Sequence, residues 1–204
     1  MTDVLKDKSG ILIEGHIKIF DPENQQVFVN KRNAIHYENM SVALAKSVAN
    51  QGQGWIYEMS FGNGGTNVDP TGIITYLTPN STGTNASLYN QTYTKVVDDR
   101  SINNIDPVRN KIDIRHVSGT NYTDVLVTCL LDYGEPSGQD AFDTASSADS
   151  LYVFDELGLK GWNPDGTGDL LTHVIFHPVQ KSLNRLVQID YTVRIQSLSG
   201  LAEE

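Results

Sequence analysis

Arg185-Leu186-Val187-Gln188-Ile189-Asp190-Tyr191-Thr192-Val193-Arg194-Ile195 alternates without interruption. Val187, Ile189, Tyr191, Val193 and Ile195 fall on one side and Gln188, Asp190, Thr192 and Arg194 on the other, the period of two required by a strand with one buried face. Outward from this stretch, residues 170–179 and 151–159 are two more strand-like runs, and Lys181-Ser182-Leu183-Asn184 supplies the turn between the last pair. The same period opens the chain. Ile11, Ile13, Gly15, Ile17 and Ile19 oppose Glu14, His16 and Lys18, then Asp21-Pro22-Glu23-Asn24 turns into Val27-Phe28-Val29, which reads as a hairpin. Residues 111–117 and 122–131 add β-type runs, and Trp55, Tyr57, Met59 and Phe61 alternate with Ile56, Glu58 and Ser60. One segment breaks the pattern: over 34–50, Met40, Ala43, Leu44, Ser47 and Val48 recur at helical spacing, with Asn33 or His36 before them and a stop at Asn50 to Gly52.

Many short strands with turn chemistry between them predict a mainly β fold, an antiparallel, jelly-roll-like β-sandwich with one helix near residues 37–50. Residues 1–10 read as an N-terminal arm and 11–204 as a single domain carrying two long polar loops, 68–110 and 134–150. Within the first loop only 73–77 and 93–97 look like strands.

The 204 residues include 15 Lys+Arg and 25 Asp+Glu, a formal charge of −10, with 39% hydrophobic and 20% charged residues. That balance predicts a folded domain with its own core. With no cationic run, it argues against phosphate-neutralising nucleic-acid recognition. Cys129 is the single cysteine, so neither an intrachain disulfide nor a cysteine metal cluster can form, as suits a reducing cytoplasm. No signal-type apolar segment and no apolar run of about 18 residues is present, so neither secretion nor a membrane role is expected. The five Asn-x-Ser/Thr matches then reflect a sequence rich in Asn, Ser and Thr.

The search for chemistry yields bland readings. Gly62-Asn63-Gly64-Gly65-Thr66-Asn67 lacks a P-loop's Gly-Lys-Ser/Thr ending and reads as a tight turn whose glycines supply positive φ. His173 and His177, four apart on a strand, share a face but lie ~13 Å apart at ~3.3 Å per residue, too far to chelate one ion. Asn163-Pro164-Asp165-Gly166-Thr167-Gly168-Asp169 resembles a calcium loop but lacks the closing Glu, which favours a turn. Cys129 sits in the apolar run 125–131 as a buried thiol. Asp155 and Glu156 are adjacent, so they face opposite sides of a strand and are expected to rim a surface or cap a turn. No metal, cofactor or catalytic residue is expected.

Several stretches resemble virion structural proteins of tailed bacteriophages: Asn33-Ala34-Ile35-His36-Tyr37-Glu38-Asn39-Met40, Met59-Ser60-Phe61-Gly62-Asn63-Gly64-Gly65-Thr66, Phe154-Asp155-Glu156-Leu157-Gly158-Leu159, and the closing 170–178 with 191–195. Residues 68–150 carry no such resemblance. It implies a non-enzymatic component, made in the host cytoplasm and carried in the virion, whose partners are its own copies and other virion proteins. A symmetric oligomer at the head-to-tail neck or collar is the first expectation, with capsid decoration or a baseplate role as alternatives. Asn33, His36, Asn39, Phe61, Gly62, Asn63, Gly64, Gly65, His173 and His177 are then the interface candidates. A different class, a lectin-like carbohydrate-binding module, would stack sugars on Trp162, with Trp55, Tyr57 and the Tyr89 to Tyr93 loop as further platforms.

Overall fold

A computed structural model describes residues 9–83, 86–136, 151–164 and 168–199. The strands are β1 (Ser9–Phe20), β2 (Val27–Ile35), β3 (Ile56–Gly62), β4 (Thr66–Val68), β5 (Ile74–Tyr76), β6 (Gln91–Val96), β7 (Lys111–His116), β8 (Tyr122–Leu131), β9 (Leu151–Gly161), β10 (Thr172–Ser182) and β11 (Val187–Ser199), with one helix, α1 (Tyr37–Val48), after β2. Nine strands form one antiparallel sheet in the order β6-β3-β9-β10-β2-β1-β11-β8-β7, and β4 and β5 make a separate hairpin.

The sheet is curled into a half-barrel, which meets the sandwich expectation. Its middle joint explains how. β10 and β2 pair only through Thr172 with Ile35 and His173 with Ala34, whereas β1 and β11 pair through twelve positions. The sheet therefore behaves as two wings, β6-β3-β9-β10 and β2-β1-β11-β8-β7, creased at that short seam. Lys31 Nζ reaches across the crease to donate to the Ile175 carbonyl at 2.7 Å.

The wings close on one core. Ile17, Ile19, Val127, Cys129, Leu131, Val187, Ile189, Tyr191 and Val193 from one meet Met59, Phe61, Phe154, Leu157, Leu159, Val174 and Phe176 from the other. In β11 the alternation holds: Val187, Ile189, Tyr191 and Val193 are buried and the residues between them are half-buried. It fails in β10, where Thr172 through Phe176 are buried on both faces. There one side meets the core, and Asn80 and Tyr89 lie over the other through their contacts to His173.

The helix starts where expected. His36 is its N-cap, Nδ1 accepting from the Asn39 amide at 3.3 Å, and Asn50 and Gly52 turn the chain away at φ +52° and +65°. Gly54, at φ +90°, passes so close under the helix that a Cβ would meet the Ala43 carbonyl at 2.3 Å. Met40, Ala43 and Leu44 pack with Ile35 and Leu171 in a small second core.

The polar stretch 68–110 is more structured than a loop. It holds the strands anticipated near 73–77 and 93–97, as β5 and β6. Residues 97–110 are folded by side chain to backbone hydrogen bonds: Asn104 Nδ2 donates to the carbonyls of Asp98 and Asn110, and Asn110 Oδ1 accepts from the Leu130 amide. Such local pairing carries no hydrophobic period, so periodicity could not reveal it. Ser9 and Gly10, assigned to the arm, already pair with Ser199 and Leu198. Residues 1–8 of the arm, 137–150 of the second loop and 165–167 of the calcium-like turn lie outside the described residues.

Candidate functional site

Two constructions stand at opposite ends of the β3/β9 pair, where Gly62 is opposite Glu156 and Ile56 opposite Gly161. At the Gly62 end is a sealed polar clamp. Glu156, fully buried, accepts the amides of Asn90 at 2.8 Å, Tyr89 at 3.0 Å and Gly64 at 3.1 Å, and Nε2 of His173 at 2.9 Å. The other ring nitrogen of His173, Nδ1, accepts the Asn80 amide at 2.8 Å. Both nitrogens are thus engaged, and Nε2 carries the proton given to Glu156. Asp155 accepts the Gly65 and Thr66 amides, each at 2.9 Å, and the Thr66 hydroxyl. Burial would push the Glu156 carboxyl up, but the bonds from His173, Asn90, Tyr89 and Gly64 outweigh it and hold it below the usual carboxylate range. Burial pushes Asp155 above that range despite its donors. The clamp ties Gly64 to Thr66, Asn80, Tyr89 and Asn90 to β9 and β10, and no part of the His173–Glu156 pair reaches solvent.

These facts bear on three sequence readings. The glycines of 62–65 do not adopt positive φ. They are required by close approach: a Cβ on Gly62 would meet Glu156 Oε1 at 2.4 Å and the Asn90 carbonyl at 2.5 Å, and one on Gly64 would meet the Asn90 amide at 2.7 Å. Of the two expectations for Asp155 and Glu156, rimming a surface or capping a turn, the second holds: both are buried and accept the amides of the turn at 64–66. His173 and His177 differ in surroundings: His173 is buried against Glu156, whereas His177, within the stretch where the β9/β10 register shifts, is exposed, its Nδ1 3.2 Å from the Tyr76 hydroxyl.

The remaining interface candidates are mostly internal. Phe61 is in the core, His36 and Gly62 are buried, and Asn39 Nδ2 donates to the Leu170 carbonyl at 2.9 Å. Asn33, half-buried, packs over Gly15 and donates to the Tyr191 hydroxyl. Asn63 accepts from Asn90 Nδ2 at 2.6 Å. Adjacent polar and glycine residues marked a constrained place in the sequence, but the constraint lies within the subunit.

At the other end of β3/β9 is an open pocket of about 500 Å³. Trp55 and Trp162 lie nearly parallel, 16° apart with ring centroids at 6.1 Å, and Tyr57 meets Trp162 at 4.7 Å and 59°. Lys46 and Asn50 from the helix end, Gln53 from the following turn, and Asp98 and Arg100 from loop 97–110 complete the wall. The three rings are half-buried. Trp162, weighed as a stacking platform, is therefore brought together with Trp55 and Tyr57. Period two placed Trp55 and Tyr57 on one face, but nothing local linked them to Trp162.

A third feature is an apolar surface. In the hydrogen-bonded loop 97–110, Ile102 is 99% exposed, Ile105 85% and Val108 78%, and on the following edge strand Ile114 is 75% exposed. Among the described residues no group of three or more His, Cys, Asp or Glu side chains could hold a metal ion, and no helix is long and apolar enough to cross a membrane. No protein-family model matches this chain, and no curated protein or solved structure matches it either.

Proposed function

We propose that this protein is a structural component of a tailed-bacteriophage virion, assembling as a symmetric oligomer with further copies of itself and with neighbouring virion proteins at the head-to-tail neck. The observation that carries the assembly reading is the loop 97–110. A loose loop can expose aliphatic side chains at little consequence, but this one is fixed by Asn104, Asn110 and Asp98 while presenting Ile102, Ile105 and Val108 to solvent. Holding large aliphatic groups rigidly in water is unfavourable unless a second surface covers them. β7, the sheet edge that follows, has no strand on its outer side among the described residues and can offer its backbone groups to the same contact. A second copy of the chain is the occupant this reading requires, since cyclic assembly repeats one patch against another. The resemblance of 33–40, 59–66, 154–159 and the closing strands to phage virion proteins supports placing that oligomer in a virion.

The test is the mass of the purified chain by native mass spectrometry, with electron microscopy of any assembly. The expected result is a closed ring that the double substitution Ile102→Asp, Ile105→Asp converts to a monomer with an unchanged far-UV circular dichroism spectrum and a melting temperature that no longer depends on protein concentration. A wild-type monomer at all concentrations, or a ring indifferent to that double substitution, overturns the assignment of this surface.

A further inference from the structure

From the aromatic pocket between the helix end, β3, β9 and loop 97–110, we infer that this protein binds a short neutral saccharide, with a pyranose ring packed on Trp162 and its hydroxyls held by the polar rim. Pyranose rings present C–H faces and a girdle of hydroxyls, so their recognition needs a rigid apolar plate edged by mixed donors and acceptors. The pocket supplies both. Trp55, Tyr57 and Trp162 make the plate, while Lys46, Asn50, Gln53 and Asp98 offer an ammonium, two amides and a carboxylate around it. Its volume, about 500 Å³, is within the range of small-molecule sites.

The rings are fixed before any ligand arrives. The Trp162 amide donates to the Trp55 carbonyl at 2.9 Å, and the Tyr57 carbonyl accepts the amides of Val97 at 2.9 Å and Asp98 at 3.1 Å. The Tyr57 hydroxyl accepts from Asn103 Nδ2 at 2.9 Å. Preorganisation of this kind lowers the ordering cost of binding. It also argues against a merely structural cluster, because three half-buried rings on a concave wall bury less apolar area than the same rings in the core. The indole nitrogen of Trp55 is out of solvent and has no acceptor among the described residues, a donor left unsatisfied inside the wall.

The charges select the ligand class. Arg100 Nε lies 3.5 Å from Asp98 Oδ1, so its charge is compensated, and the chain as a whole carries −10. Lys46 adds one further cation to the lining, a single charge and not the cationic cluster that a nucleotide or a polyanionic glycan calls for. A purely hydrocarbon ligand would leave the rim groups desolvated and unpaired.

The experiment uses the full chain with maltotriose, cellotriose and tri-N-acetylchitotriose, read by saturation-transfer NMR and tryptophan emission, alongside an array of neutral glycans. Saturation transfer to ring C–H protons with a shift in tryptophan emission is expected for at least one of them. Trp162→Ala should weaken that ligand by about tenfold or more, as deletion of a central aromatic contact does. Trp162→Phe should retain most of the affinity. Gln53→Ala, on the rim and away from the packed rings, should weaken it by about threefold or more through loss of a hydrogen-bonding amide, and so reports on the site even if Trp162→Ala does not fold. Absence of any saccharide signal at millimolar concentration overturns the inference, as does binding unchanged in both Trp162→Ala and Gln53→Ala, or binding of dinucleotides in preference to every sugar.

Discussion

The two ends of the β3/β9 pair share a scaffold and differ in almost everything built on it. At the Gly62 end Glu156 and Asp155 are buried among the donors they accept from, and the His173–Glu156 pair is out of reach of water. At the Ile56 end three aromatic rings stand half-open above a polar rim. Charged groups are sealed in at one end and apolar groups left out at the other, the reverse of what partitioning alone would give. The buried carboxylates fasten two loops to the sheet, where a saturated network gives definition. The exposed rings keep a contact surface available, where saturation would leave nothing to bind.

The largest effect is expected at the sealed end. Glu156→Ala strands the Gly64, Tyr89 and Asn90 amides and His173, and should lower unfolding free energy by ~3–5 kcal/mol in urea titrations, as breaking a buried charged network does. A loss below ~1 kcal/mol would mean that water replaces the carboxylate and that the clamp is not closed. Gly62→Ala should cost ~1–3 kcal/mol, because the added methyl group must displace Glu156 or the Asn90 backbone.

Acid should separate the two carboxylates by sign. Glu156 is held below its ordinary value, so its contribution is complete above that value and is lost as pH falls through the folded one. Asp155 is held above its ordinary value, so it takes up its proton more readily when folded and stability from this group rises as pH falls. Glu156→Gln should flatten the acid limb of a urea-midpoint against pH curve, whereas Asp155→Asn should steepen it. Identical slopes in both variants would refute the assignment of the two environments. The smallest effect belongs to the open end: Gln53→Ala should leave stability within about 0.5 kcal/mol by the same titration, as expected for a rim residue.

What could be read in the sequence follows the reach of each signal. Period two located β1, β3 and β11, because that pattern is fixed by which face of one strand is buried. Helical spacing located α1, and its start was narrowed to Asn33 or His36, of which His36 is the cap. The clamp was not legible, since it joins Gly64, Asn80, Tyr89, Glu156 and His173 across four segments, and no local rule distinguishes a glycine needed for φ from one needed for space. Trp162 could be singled out by type, but its meeting with Trp55 depends on strand pairing. The stretch 97–110 lacked a period because its order comes from asparagine amides.

The twelve-position pairing of β1 with β11 also sets an order in time. Residues 9–20 emerge from the ribosome long before residues 187–199, and at ~5–20 residues per second the interval is roughly ten to thirty seconds. Until then Ile17 and Ile19 lack the neighbour that covers them, and β2 can offer only one side of the ladder. Closure of this sheet therefore waits for β11 and is slowed by its long-range pairings. Loop 97–110, although complete earlier, can have no firm footing on Leu130 until β8 has a β11 to lie against. In the oligomer proposed above, a copy could join another only once β11 has closed on β1 and β8.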